Sequence, residues 1–146
     1  MLSFACRPGS LLPATLLAAM LCAGATDAAT MLPPCPDRPN CVSSLATRAA
    51  QRVAPFTFAG PADAAQARLL RVLEQDRSAT VVDAQPGWIA VEFRSRVFGF
   101  VDDVRFELDA TAGAFQVQSA SRTGYWDLGV NRRRVEALRA RFDAGQ

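Results

Sequence analysis

The stretch Ser119 to Arg134, S-A-S-R-T-G-Y-W-D-L-G-V-N-R-R-R, holds the side chains best suited to chemistry: the hydroxyls of Ser119 and Ser121, Asp127, Asn131, and the guanidinium groups of Arg122, Arg132 and Arg134. Guanidinium groups beside hydroxyls and the free amides of a helix start bind carboxylate or phosphate oxygens. Shortly before this stretch stand Ser95, Arg96 and the adjacent carboxylates Asp102 and Asp103. A carboxylate is a candidate general acid or base, with arginines clamping the negative charge that develops, so Asp102 and Asp103 are the candidate catalytic residues. Neighbours on a strand point to opposite faces, which argues against a dyad sharing one proton.

Composition removes most other chemistry. The 146 residues include no histidine, and every basic residue is arginine. Ser-His-Asp and Cys-His nucleophile systems, Schiff-base lysines and the P-loop are thereby excluded. Arg7, the apolar run Leu11 to Ala25 and the small residues Ala23-Gly24-Ala25 read as a secretory signal peptide over residues 1–25, with Ala29 as the second choice of cleavage site. The run is shorter than the ~20 residues of a membrane span and contains Pro13. Cys6 and Cys22 would leave with the leader. Cys35 and Cys41 would remain in an oxidising periplasm or cell envelope, where a disulfide is the default state. Two thiols without histidine are too few for a tetrahedral zinc site, and neither metal nor cofactor is expected.

Hydropathy places these residues on a single globular domain, 30–146. Thr30 to Leu45 is rich in Pro, Cys and Ser and reads as an irregular arm tied by the disulfide. Val53 to Phe58 is a candidate edge strand, and Gly60-Pro61 opens a helix to about Asp76, with Ala62, Ala65, Leu69, Val72 and Leu73 on one face. Alternation then marks strands at Thr80–Gln85, Trp88–Ser95, Asp102–Asp109 and Ala114–Ser121. Pro86-Gly87 joins the first two, and Ala110 to Gly113 the last two. The core-facing phase is Val82; Ile89, Val91 and Phe93; Val104, Phe106 and Leu108; Phe115 and Val117. Arg96 to Val101 reads as a looped crossing that still packs. A final helix spans about Val130 to Phe142. The expected fold is α+β: an antiparallel four-stranded sheet, with Val53–Phe58 as a candidate fifth strand, and two helices on one face in the order β-α-β-β-β-β-α.

Following the inward phase to the strand ends brings Ser95, Asp102, Ser119, Ser121 and Asn131 to one end of the sheet, because antiparallel neighbours alternate direction. Simple pairing across the last turn sets Asp109 against Ala114 and Asp102 against Ser121. Arg94, Arg96, Arg122, Arg132 and Arg134 are within reach, with Asp103 and Asp127 nearby. A partly buried Asp102 needs a cationic partner, Arg122 or Arg134. Two arrangements fit: a cleft for a polar or anionic ligand, or a structural ion-pair network with Asp127 or Asn131 as helix cap. The supply of carboxylates favours the second. Tyr125 and Trp126, between Gly124 and Gly129, read as a plug over the open end of the core or as a stacking platform.

Cys35-Pro36-Asp37-Arg38-Pro39-Asn40-Cys41-Val42-Ser43-Ser44, the run Phe93 to Asp103, and Ser119-Ala120-Ser121-Arg122 with Gly124, Asp127, Gly129, Asn131, Arg132 and Arg134 resemble a bacterial and plastid domain-of-unknown-function family, numbered fourteen ninety-nine. The resemblance implies a shared fold and brings no activity, cofactor or ligand. Where the family looks to carry Glu and Arg on the third and fourth strands, this chain has Arg105 and Gln118, expected to face each other, which removes a surface ion pair of less than ~1 kcal/mol. Trp126 stands where a small residue is usual.

The function these features favour is an exported, non-enzymatic binding or interaction domain of the cell envelope, with a small polar or anionic ligand or an envelope protein as partner. The alternative is an envelope hydrolase or transferase using Asp102 or Asp103. A further alternative is a structural protein that contacts a membrane or partner through the basic last helix. Near-neutral mature charge and export argue against nucleic acid.

Overall fold

Alternating residues from Trp88 to Ser121 form the middle of the sheet, and the computed structural model, which describes residues 30–145, adds two short strands at its edge. In chain order the elements are β1 Cys41–Ser43, a 3-10 turn Ala49–Gln51, β2 Phe56–Thr57, α1 Ala62–Glu74, β3 Ala79–Gln85, β4 Trp88–Arg94, β5 Val101–Asp109, β6 Ala114–Ser121 and α2 Val130–Ala144. Among the described residues the fold is α+β, a six-stranded antiparallel sheet in the order β1-β6-β5-β4-β3 with β2 also on β6, and two helices. The expected leader, with Cys6 and Cys22, lies outside the described residues.

Turn chemistry sets the register. Gln85 pairs with Trp88 across Pro86-Gly87, where Gly87 has φ 78° and a Cβ would come within 3.3 Å of Leu108 Cβ. Asp109 pairs with Ala114, Arg105 with Gln118 and Asp102 with Ser121, as counting outward from the turn requires. Phe56, Phe106 and Phe142 meet edge-on at the centre of the core, with ring centroids 5.2 and 5.7 Å apart. Leu69 and Leu73 of α1, Val135 and Leu138 of α2, and Ile89, Val91, Val104 and Val117 of the sheet complete it.

Three expectations are corrected. Val82 is exposed and Val81 packs on the core instead, because a bulge between Val81 and Asp83 shifts the phase of the edge strand β3. The candidate fifth strand within Val53–Phe58 forms at the edge but is short, Phe56–Thr57, and the arm expected to be irregular supplies a sixth, β1: the chain pairs with the free edge of β6 twice, as β1 opposite Gln118–Ala120 and as β2 opposite Ala114 and Phe115, so two short pieces cover one edge. The apolar residues of Arg96 to Val101 do not pack either: Val97, Phe98 and Phe100 face solvent.

The arm crosses the sheet face opposite the helices. Amides of Met31 and Leu32 donate to the Glu107 carboxylate, and Gln118 Nε2 donates to Pro33 O at 2.6 Å, which explains why Gln118 on the outer phase of β6 is buried. Cys35 and Cys41 are joined by a disulfide with Cα atoms 5.6 Å apart, and Cys41 is buried against Ala120. The bridge closes a short, proline-stiffened loop, so its chain-entropy contribution is small. Cys35→Ser with Cys41→Ser is expected to lower stability by about 2 kcal/mol, read as a drop in urea midpoint without loss of fold.

Candidate functional site

Four of the five inward-phase residues, Asp102, Ser119, Ser121 and Asn131, come together at the first turn of α2, Asp102 through Arg134, and Ser95 does not. Asp127 makes that turn possible. Its Oδ1 accepts the Gly129 amide at 2.8 Å and its Oδ2 accepts the Asn131 amide at 2.8 Å, replacing bonds that the helix start lacks. Gly129, the residue before the helix, lies at φ 76°, and a Cβ there would approach Arg133 Nη1 to 3.2 Å. Leu128 is forced to φ 54°, a conformation that costs leucine about 1–2 kcal/mol, with its side chain in solvent.

Asn131 is fully buried and uses both ends of its amide. Oδ1 accepts the Ser119 hydroxyl at 2.5 Å and Arg134 Nη1 at 2.9 Å. Nδ2 donates to Asn40 O at 3.1 Å, Ser121 Oγ at 2.9 Å and Asp127 Oδ2 at 2.8 Å. Asn40 comes from the disulfide loop. Its carbonyl also takes the Ser121 amide at 3.0 Å, and its Nδ2 donates to Gly124 O at 2.7 Å. One side chain thereby joins the disulfide loop, β6 and α2. Asn40 was missed as a site residue in the sequence, although it sits beside Cys41 in the segment that carries the family resemblance.

Asp102, on the inner phase of β5, pairs with Arg134 at 2.5 Å, the second of its two expected partners. Arg134 also lies over the Phe93 ring with its guanidinium carbon 4.8 Å from the centroid. Asp103 is on the outer face. There it is bound by Arg122 at 2.8 Å and approached by Arg105 at 3.7 Å, and Arg122 also bonds Glu92. Asp103 and then Glu92 raise the Arg122 guanidinium pKa above its ordinary value by accepting its hydrogen bonds. The two candidate catalytic carboxylates therefore sit on opposite faces, each held by arginine.

Four expected members lie elsewhere. Arg122 belongs to the outer face because it follows Ser121 by one residue. Ser95 lies beyond the end of β4, where its amide donates to Phe100 O at 2.8 Å and its hydroxyl accepts the Phe100 amide at 3.0 Å, closing the 95–100 loop. Arg96 is exposed on the same loop. Arg132 turns away to donate to Arg52 O and Ala50 O at 2.9 and 2.8 Å, clamping the 3-10 turn onto α2. Tyr125 and Trp126 are each 68% exposed and do not plug the core. The other α2 arginines are also engaged, Arg133 with Leu128 O, Arg139 with Glu136 and Arg141 with Asp76, so the helix has no unpartnered basic stripe.

Beside the network lies an open groove of about 610 Å³ between the end of α1, the end of β4 and α2. Arg77, Arg94, Arg96, Arg134 and Arg141 line it, with Ser78, Ser95 and Phe93, and Asp76 is its one carboxylate. Burial works to raise the pKa of Asp76, but the Ser78 hydroxyl and amide and the Arg141 guanidinium outweigh it and hold the carboxyl below its usual range. Asp76 is thus committed to Arg141, and Asp102 to Arg134. Arg77, Arg94 and Arg96 form no ion pair with the described residues. Arg77 and Arg141 lacked any signal in the sequence, since only the packing of α1 against α2 brings them to the end of β4.

Among the described residues no group of three or more His, Cys, Asp or Glu is placed to hold a metal ion, and no helix is long and apolar enough to cross a membrane. Comparison with curated proteins and with solved structures returns no match. The family model described as a protein of unknown function, DUF1499, matches residues 31–142, from the arm through the inner face of α2, and the chain belongs to that family.

Proposed function

We propose that this chain is a small exported, non-enzymatic binding domain of the cell envelope that takes an anionic ligand in the arginine-lined groove. The observation that carries this reading is the imbalance of charge in the groove: Arg77, Arg94 and Arg96 line it without carboxylate partners, while its one carboxylate, Asp76, is already paired. Guanidinium groups so placed match phosphate or carboxylate oxygens in planar, two-point hydrogen bonding. The expected leader and the Cys35–Cys41 disulfide support an oxidising location.

On this reading Asp102, Ser119, Ser121, Asp127 and Asn131 do not touch ligand. They hold Arg134 against Phe93 on the groove wall, which is a positioning role. Thermal shift with inorganic phosphate, glycerol phosphate and sugar phosphates tests it. A ligand at one hundred times its Kd adds about 2.7 kcal/mol, a rise in Tm of roughly 10 °C for a domain of this size. Arg94→Ala with Arg96→Ala is expected to remove that rise and leave the unliganded Tm within a few degrees. No rise with any phosphate or carboxylate compound would end the proposal.

A further inference from the structure

Most of the exposed large apolar side chains among the described residues come from two loops, Val97, Phe98 and Phe100 on one and Tyr125, Trp126 and Leu128 on the other. Both loops leave the same end of the sheet. The first is closed by the Arg94–Val101 pair, and the second begins where the Arg122 amide donates to Val101 O at 3.1 Å. Their roots lie on β4, β5 and β6, neighbouring strands spaced ~4.8 Å apart.

Neither loop is slack. Ser95 binds the Phe100 amide and carbonyl, Gly99 donates to Ser95 O at 3.1 Å, and the Phe98 and Phe100 rings stack with centroids 5.6 Å apart. In the second loop Asp127 grips two amides and thereby pins Leu128 in the left-handed region, while Asn40 holds Gly124. Built-in bonds thus hold apolar tips out in water, where they oppose solubility and gain no packing.

The carboxylates on the elements from which the loops leave are already engaged: Asp102 by Arg134, Asp103 and Glu92 by Arg122, and Asp127 by the amides of the helix start. Arg94 and Arg96 flank the first loop without an ion pair and continue into the groove. Aromatic and aliphatic tips beside arginines that have no carboxylate partner, Arg94 donating only to the Gly99 carbonyl at 3.3 Å, match the boundary between headgroups and acyl chains of an anionic bilayer, where Trp, Tyr and Phe partition and cations meet lipid phosphates.

We infer that this end of the domain docks on the surface of a membrane containing anionic phospholipid, with Phe98, Phe100 and Trp126 entering the interfacial layer. The part played by Arg94 and Arg96 rests on the anion-binding reading of the groove; the aromatic tips stand independently of it. No helix is needed to span the bilayer.

The test uses the full chain carrying Trp88→Phe, so that Trp126 is the remaining indole, with vesicles of phosphatidylcholine containing about 30 mol % phosphatidylglycerol. Trp126 emission is expected to move to shorter wavelength and to be quenched by lipids brominated on the acyl chain. Phe98→Ser with Phe100→Ser is expected to weaken partitioning by at least about tenfold. Arg94→Ala with Arg96→Ala should abolish its dependence on phosphatidylglycerol and on salt. Reading Trp126 itself separates this contact from any made by the apolar run near the N-terminus. Unquenched, unshifted Trp126 overturns the inference, and so does partitioning that survives loss of both phenylalanines. If phosphate compounds raise Tm while Trp126 ignores vesicles, the groove reading stands and the membrane inference falls; the reverse result removes the groove and keeps the aromatic docking. Trp126 that ignores vesicles but responds to lipid-free envelope protein assigns the tips to a protein partner and also overturns it.

Discussion

Asn131→Ala is expected to lower the unfolding free energy by about 3 kcal/mol, with a fall in Tm of roughly 10–15 °C. The amide is fully buried, and its removal leaves the Ser119 hydroxyl proton without its acceptor and Arg134 Nη1 with only its longer bond to Ser119 Oγ at 3.3 Å. Each buried polar group so stranded costs about 1–3 kcal/mol, reduced where water enters the space left by the amide. The Asn40 carbonyl suffers less, because it keeps the Ser121 amide, and Asp127 keeps the backbone amide of residue 131. Ser121→Ala is the control: it removes one half-buried bond to Asn131 and should cost about 1 kcal/mol. Urea unfolding of the two variants measures the contrast. Equal, small losses would mean that the disulfide loop, β6 and α2 are held together by apolar packing alone.

The Asp102–Arg134 pair is expected to show strong coupling. Both side chains are largely buried, so Asp102→Asn or Arg134→Met alone strands a charge and should cost about 3 kcal/mol. The double variant strands none, and methionine can still lie on Phe93, so its loss should be close to that of either single change. The coupling energy from the double-mutant cycle is then about 2–3 kcal/mol. Additive losses would refute the pair as the support of the groove wall. Asp103→Asn offers a comparison on the outer face, where Arg122 is far more exposed and retains Glu92. Its loss should be much smaller.

Much of the fold and part of the candidate site were legible beforehand, for an identifiable reason. Strands β4 to β6 alternate cleanly and are joined by turns of fixed length, so counting from Gly113 placed Asp102 opposite Ser121. The same count placed Ser119 and Ser121 on the inner phase, and Asn131 at the helix start completed the set. Counting failed at edges and ends. Val82 was misplaced because a bulge in an edge strand is absorbed without disturbing neighbours. Ser95 lies one residue past the end of β4, where the 95–100 loop turns the chain and the strand phase no longer applies. Proximity in sequence puts Arg122 and Arg132 beside the cluster, yet a one-residue step on a strand, or a 100° step on a helix, sends a side chain to another surface.

By itself, then, the sequence determined the α+β class, the central strand register, the disulfide and the opposed directions of Asp102 and Asp103. These follow from local periodicity, from turn length and from having two thiols close together. Tertiary structure alone decided that Asn40 joins Asn131, that Arg134 rather than Arg122 answers Asp102, and that Arg77 and Arg141 meet Arg94 and Arg96 in one groove. It also decided that Phe98, Phe100 and Trp126 face solvent. Partner choice among many arginines depends on the docking of α1 and α2 across the sheet, a product of long-range core packing that no local pattern encodes.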